Sequence, residues 1–274
     1  MTEKLLAAAK RLRWRMLKPV LEKTGAIEVV FRGWERRAAR TPGGDFDDAL
    51  PMPPPNLMVA VAGTPNREWF STSGRRDADL FKGHAARHGV HLADQRVVVD
   101  LGCGCGRIAR WLAPEVVGGQ GRFLGFDINP GMAGWCDANL PGDYGRNQLL
   151  PPLAVPDGTS DIVYAYSVLT HLREATAVLW LEEVARILHP GGLALLTFHD
   201  ETYAEVCAPA EVRAALTTQP YVVLNDALEG SNYISAWTTR EHFSRLAGSL
   251  FELLEILPGR ADFTQALAVL RRRP

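Results

Sequence analysis

The sequence is short of several things. Four of its 274 residues are cysteine. They stand at 103, 105, 136 and 207, which excludes a disulfide-stapled scaffold and points to reduced thiols in a cytoplasmic protein. No apolar run approaches the roughly 18 residues that a membrane helix needs, so no transmembrane segment is expected. The first residues lack an apolar signal core with a small-residue cleavage site, which argues against secretion. Nor is there a surplus of either charge: 30 Lys and Arg face 31 Asp and Glu, a balance that does not suit a general polyanion binder. What remains, 47% hydrophobic and 22% charged, is the composition of a globular protein long enough for one large α/β domain with an extension, or for two small domains.

The even balance conceals an asymmetry. Residues 1–40 hold eleven Lys and Arg and four Glu, a local +7 that leaves −8 for the rest. Leu5, Ala9, Leu12, Met16 and Val20 recur at helical spacing with Lys4, Arg11, Arg15 and Lys18 between them, and Pro19 ends or kinks this basic amphipathic helix. A second helical stretch is expected from about Ile27 to Ala39. Two readings are open: a peripheral contact with an anionic surface, or an apolar stripe packed on the domain or on a second copy in a homodimer, its charges solvated. The second is preferred, since Trp14 is the one aromatic of the first helix. Thr41 to Asn56 (TPGGDFDDALPMPPPN) then reads as a stiff connector, and Leu57 to Gly89 as helical pieces broken near Ser73–Gly74.

From Arg96 onward strands and helices alternate, the pattern of a parallel sheet covered on both faces. The alternation opens with VVVDLGCGCGRIARWL, Val97 to Leu112. Three β-branched residues suit a strand buried on both faces; Asp100 stands near its carboxyl end, and a helix begins at about Ile108. Gly102, Gly104 and Gly106 fill the turn between them, where a ligand can approach bare main chain, and ligands of open α/β sheets bind above these strand ends. A dinucleotide fingerprint spaces its glycines G-x-G-x-x-G; here the third comes one residue early and Arg107 takes its place. Asp100 would repel a pyrophosphate but suits a cationic amino-acid moiety.

These residues resemble the first motif of the class I S-adenosylmethionine-dependent methyltransferases, and the resemblance extends from about Trp69 to the C-terminus. It implies S-adenosyl-L-methionine as cofactor, with Asp100, Gly102, Gly104 and Gly106 in the cofactor turn and Cys103 a small filler beside it. Phe123 to Asp127 (FLGFD) resembles the second strand, which implies Asp127 as partner of both ribose hydroxyls and Ile128 as the residue packed on adenine. Many relatives carry an acid after the third strand for the adenine amino group; here Asn147 and Gln148 stand in its place, and an amide oxygen accepts the same hydrogen bond. Ser160 to Tyr166 reads as a strand, and the Ser167-Val-Leu-Thr-His-Leu172 that follows resembles the fourth motif, which implies that Ser167 faces the methionine end. A segment before the first strand closes over that end in the family, which brings in Trp69 and Arg75 as candidates, the arginine for the carboxylate.

The implied fold is α/β: a doubly wound, mostly parallel seven-stranded sheet in the order 3-2-1-4-5-7-6, its last strand antiparallel, with helices on both faces and an N-terminal helical extension. Phe251 to Ile256 and Gln265 to Leu270 supply the closing antiparallel pair. The expected organisation is an extension and connector over 1–56 and a methyltransferase domain over 57–274. Within it lie a cap (57–95), a cofactor-binding core (96–199), and an acceptor-side segment with the C-terminal strands (200–274).

Methyl transfer is an in-line displacement in which alignment supplies much of the acceleration, and an oxygen acceptor also needs a base. His199, after the fifth strand and before an Asp200 that could orient it, and His171, after the fourth, are the candidate bases, with an ordinary imidazole pKa of about 6–7. Backbone-bonded histidines are the alternative for each. No metal site is expected: Cys103 and Cys105 lie inside the glycine turn without further ligands at suitable spacing, and His84, His88 and His91 lack a following glutamate. The leading reading is a methyltransferase acting on an oxygen or nitrogen of a small metabolite or glycan. The alternatives are a catalytically silent cofactor-binding subunit and, more distantly, an NAD-dependent oxidoreductase. Nucleic acid is disfavoured, because the core lacks a second basic cluster interleaved with aromatics.

Overall fold

The computed structural model describes residues 48–259 and 265–274; the basic helices expected within residues 1–39, and the surface or dimer contacts considered for them, lie outside the described residues. The chain divides into two compact units, residues 1–72 and 73–274. In the first, residues 48–54 have no regular structure and helix α1 spans Pro55–Ala62, with Pro at its first position and Gly63 (φ 69) as its left-handed cap. Proline is favourable there because the first-turn N–H has no partner in any case. Ser71 donates to Asp48 at 2.7 Å. Helix α2, Arg67–Arg87, begins in this unit.

In the second unit the expected alternation appears as β1 (Val97–Leu101), α3 (Ala109–Gly118), β2 (Arg122–Asp127), α4 (Pro130–Asn139), β3 (Asp143–Arg146), β4 (Ser160–Ala165), α5 (Glu174–Ile187) and β5 (Leu188–Phe198). Then come α6 (Glu201–Cys207), α7 (Ala210–Ala215), a β6–β7 hairpin (Tyr221–Leu224, Ser235–Thr238), α8 (Arg240–Gly248), β8 (Phe251–Leu257) and β9 (Ala266–Arg272). The main sheet has the order β3-β2-β1-β4-β5-β9-β8, which is the expected 3-2-1-4-5-7-6 once the separate hairpin is set aside. β1 pairs in parallel with β2 and β4, so Val98 and Val99 are buried on opposite faces. β9 runs antiparallel between β5 and β8, and its Ala266 to Leu270 are fully buried, as a continuous apolar run in a covered strand requires.

Some boundaries differ from the sequence reading. The break expected at Ser73–Gly74 is absent, and α2 is continuous through it. Gly74 serves packing instead: a Cβ there would lie 2.0 Å from the Arg107 carbonyl oxygen, so only glycine lets the helix approach the end of the cofactor turn. The cap of α8 is Thr239, which accepts from the His242 N–H; Thr238 is still in the ladder opposite Tyr221. The β6–β7 hairpin, with α6 and α7, was not legible. It has its own small core of Ala204, Ala208, Val212, Val222 and Trp237. Among the described residues, no helix is long and apolar enough to cross a membrane.

Candidate cofactor site at the strand ends

The glycine turn is tied to the second strand by main-chain bonds. Gly102 N and Cys103 N both donate to the Phe126 carbonyl, at 2.7 and 2.9 Å. Gly102, Gly104 and Gly106 have φ of 80, 54 and 78, a region costly to any residue with a Cβ. Bare Cα atoms are needed for contact as well: a Cβ on Gly102 would meet Val168 Cγ2 at 2.3 Å, and one on Gly106 would meet Leu140 Cδ1 at 2.3 Å. The Cys103 thiol donates to the Gly104 carbonyl at 3.6 Å and lies inside the turn.

Asp127 ends β2 and faces this turn. Its Oδ2 accepts from Gly104 N at 2.9 Å and its Oδ1 from Asn129 N at 2.8 Å. Burial raises its pKa, and these two amides oppose the rise. Asn129 then caps α4 by accepting from Gly131 N, with Pro130 at the first position. Beside Asp127 stands Ile128, an exposed aliphatic side chain. Asn147 N donates to the Asp127 carbonyl, and Asn147 Nδ2 to the Gln148 carbonyl. Among the described residues the buried Asn147 Oδ1 has no partner. An orphaned buried acceptor next to a glycine cradle and an anchored carboxylate fits an adenosine: amine hydrogens for Asn147, hydroxyl hydrogens for Asp127, and apolar contact at Ile128. Gln148 is exposed and supplies its carbonyl to Asn147. The loop between β6 and β7 reaches the same place, since a Cβ on Gly230 would lie 2.9 Å from Leu149 Cδ1 and 3.3 Å from Ile128 Cδ1.

Asp100 is 3% exposed and accepts from the Tyr164 hydroxyl at 2.6 Å. Burial pushes its pKa up from 3.8 to about 7; the Tyr164 bond opposes this, Asp127 adds to it and Arg107 opposes it. A carboxyl raised in the folded state gives stability that is complete below its unfolded pKa and is lost as pH rises to the folded one. Stability should therefore fall between about pH 4 and pH 7 and level off above. Asp100→Asn, which can still accept from Tyr164, should remove this slope and be more stable at pH 8 by on the order of 2 kcal/mol in urea titrations. An unchanged slope would mean that Asp100 is already ionised at acid pH.

Other candidates are placed differently from the sequence reading. Trp69 lies in the first unit, 40% exposed. Arg75 stacks on Trp111 at 5.5 Å. A guanidinium that does face the strand ends is Arg107, in the place of the missing third fingerprint glycine: it pairs with Asp77 at 2.6 Å and lies 4.7 Å from the centroid of the Tyr166 ring. Ser167 follows β4 at φ 65, and its hydroxyl is engaged by Thr170 and Gln265.

Both histidines sit under the hairpin strand. His171 Nδ1 is 2.9 Å from the Ile234 carbonyl and His199 Nδ1 3.2 Å from that of Ala236, so each donates there and keeps Nε2 as the basic nitrogen. Burial lowers the pKa of His171. Burial, then the neighbouring His171, pushes His199 down to about 3, well below the ordinary value expected from sequence. Asp200 does not orient His199: it caps α6 by accepting from Tyr203 N and also accepts from Gly259 N. The ring is instead held by Ala236, by stacking on Tyr203 at 4.6 Å, and by Trp237 at 5.5 Å. His84 and His88 both turn to Glu255, at 3.2 and 2.7 Å. No cluster of His, Cys, Asp or Glu able to hold a metal ion occurs among the described residues.

A doubly wound sheet closed by an antiparallel strand pair, with a glycine turn facing an acid at the end of the second strand, matches the Rossmann-like methyltransferase fold. Residues 98–192 match the family described as "Methyltransferase domain", and this part of the chain is similar to S-adenosylmethionine-dependent methyltransferases. A probable S-adenosylmethionine-dependent methyltransferase of Mycolicibacterium smegmatis is 28% identical over 156 residues, 56% of this chain and 55% of that protein. The match thus spans about half the length of each. Among solved structures, a methyltransferase of Methanosarcina mazei shares the fold at a TM-score of 0.51, with 16% identity over 69% of this chain and 97% of that one. The 1,6-didemethyltoxoflavin-N1-methyltransferase of Burkholderia thailandensis, solved with that substrate and S-adenosylhomocysteine bound, has a TM-score of 0.52, with 15% identity over 82% of this chain and 92% of that one.

Removing the Asp127 carboxylate gives a direct check of the geometry. Asp127→Ala should weaken S-adenosylhomocysteine binding by about 1.5–3 kcal/mol, the scale of hydrogen bonds to a charged group. An unaltered dissociation constant in calorimetry would displace the ribose from this carboxylate.

Proposed function

We propose that this chain transfers the methyl group of S-adenosylmethionine to an oxygen or nitrogen of a small metabolite or saccharide. The observation that carries the reading is Asp127, fixed by the Gly104 and Asn129 amides, with the unpartnered Asn147 oxygen beside it. Bound at this place, the sulfonium supplies an activated methyl group. The chain's own work is to hold and align. Asp127 and Asn147 would fix the adenosine, and the glycine turn admits the ligand to the main chain. Asp100 would place negative charge near the amino group once it ionises. His199, with its Nε2 lone pair kept available by the bond to Ala236, would accept the acceptor's hydrogen. The acceptor would enter from the β6–β7 side, where Tyr203, Tyr221 and Trp237 surround that histidine. The 1,6-didemethyltoxoflavin-N1-methyltransferase, which shares the fold, is consistent with this reading. A cytoplasmic setting fits the free state of all four cysteines.

The test is incorporation of labelled methyl from S-adenosylmethionine into a small-molecule extract of the source cells. Label should appear in a low-mass product and depend on Asp127. Label confined to macromolecules would overturn the acceptor class, and cofactor binding with no label anywhere would favour a silent subunit. Asp100 adds a pH signature. Affinity for the product should rise with pH through about 7 as its carboxyl ionises, and Asp100→Asn should flatten that rise.

A further inference from the structure

We propose that Gln265 is a positioning residue for the cofactor site, holding Ser167 in the strained turn that seats Val168 against Gly102 and Tyr166 beside Arg107. The inference rests on the cofactor reading above. Ser167 has φ 65, a conformation that residues with a Cβ adopt rarely and at a cost. Strain of this kind persists only where the surroundings over-determine it, and here they do. Ser167 N donates to Thr197 Oγ1 at 2.7 Å. The Thr197 hydroxyl donates to Gln265 Oε1 at 2.7 Å, and Gln265 Nε2 donates back to Ser167 Oγ at 2.8 Å. Thr170 donates its hydroxyl to the Ser167 carbonyl at 2.8 Å, which leaves the Ser167 hydroxyl to donate to Thr170 Oγ1 at 2.9 Å.

Each of the three hydroxyls in this ring both accepts and donates. The ring takes up the amide, carbonyl and hydroxyl of Ser167 together. Thr170 and Thr197 are fully buried and Gln265 is 7% exposed, so a broken member would leave a buried polar group without a partner.

Glutamine is suited to the place because one planar head both accepts from Thr197 and donates to Ser167, which neither a carboxylate nor an aliphatic side chain can do. Its position follows from topology: Ala266 pairs with Phe198, so Gln265 lies just beyond the carboxyl end of β5, from where its head reaches across to Ser167 after β4. The residues flanking the kink are those that touch the cofactor turn. Val168 Cγ2 lies 2.3 Å from where a Gly102 Cβ would stand, and the Tyr166 ring lies under the Arg107 guanidinium. Releasing Ser167 to ordinary backbone angles would shift both.

The experiment is calorimetric titration of the full-length chain with S-adenosylhomocysteine, with thermal melting in parallel. Gln265→Leu and Thr197→Val should each weaken binding roughly 5- to 30-fold, while Thr197→Ser, which keeps the hydroxyl, should stay within about twofold of wild type. Adding Ser167→Gly to Gln265→Leu should restore most of the lost affinity, because glycine takes a positive φ unaided. A purely packing role for Gln265 would not be repaired by a glycine two strands away. Unmoved affinity in Gln265→Leu, or a double variant weaker than that single one, would overturn the proposal. Should Gln265→Leu fail to fold, the Thr197→Val and Thr197→Ser pair decides, since equal affinities there contradict it. A wild-type chain that binds no S-adenosylhomocysteine would overturn the cofactor reading itself, and this assignment with it.

Discussion

Asp77→Ala is expected to lower the unfolding free energy by about 3–5 kcal/mol, the usual cost of stripping one partner from a buried ion pair. Asp77 and Arg107 are 1% and 9% exposed as side chains and 2.6 Å apart. Burial of this order denies the surviving guanidinium the water that would otherwise replace its partner. Arg76 also reaches Asp77, at 2.7 Å, but it is 56% exposed, where such a contact is worth little. Among the described residues the Arg107 guanidinium would keep Ser73, at 3.4 Å, and the Tyr166 ring, neither of which neutralises it, while burial pushes the nearby Asp100 toward its neutral form. The apolar pair Asp77→Leu with Arg107→Met is the control. It should lie much closer to wild type than either single change, because no charge is then left buried. Urea denaturation measures all of these. A single-variant loss below about 1 kcal/mol would mean that water reaches the pair.

The second large effect concerns the proposed reaction. His199→Ala should reduce methyl transfer roughly 10²- to 10⁴-fold, the range for a positioned proton acceptor, while product binding stays near the wild-type value. The buried ring sets the pH dependence. Because burial and His171 push His199 down to about 3, it is neutral throughout the working range, and no inflection near pH 6–7 should trace to it. His171→Ala separates position from chemistry, since His171 shares the hairpin strand as its carbonyl partner and lies four residues after Ser167. Full activity in His199→Ala would point to an amine acceptor that arrives neutral. Loss of cofactor binding in both variants would make the histidines structural.

Much of the fold was legible because periodicity and punctuation agree. Val97 to Val99 announce a central strand, Asn129–Pro130 a helix start, and Phe251 to Leu270 an antiparallel pair whose ladder appears at Leu253 and Leu270. The placement of the glycine turn opposite Asp127 was legible for a similar reason: a run of glycines after a strand, and an acid at a strand end, are local features. What was not legible depends on partners distant in sequence. Asp77 lies 30 residues from Arg107, Tyr164 lies 64 from Asp100, and Gln265 lies 98 from Ser167. Gly74 reads as a helix breaker until the Arg107 carbonyl is seen against it. Asp200 next to His199 invites a dyad by adjacency, yet successive residues at a strand end diverge, and this carboxylate turns to the first turn of α6. Charge and hydrogen-bonding capacity are properties of single residues, but burial belongs to the assembled fold. For that reason the downward shift of His199 and the upward shift of Asp100 could not be read from the sequence.

The central claim is that the strand-end site is built for S-adenosylmethionine and not for a dinucleotide, and isothermal titration of the full chain with S-adenosylhomocysteine and, separately, with NAD tests it most directly. The account predicts saturable binding of S-adenosylhomocysteine that is weakened by Asp127→Ala, with no comparable affinity for NAD. Tight binding of NAD, with no heat from S-adenosylhomocysteine, would contradict it.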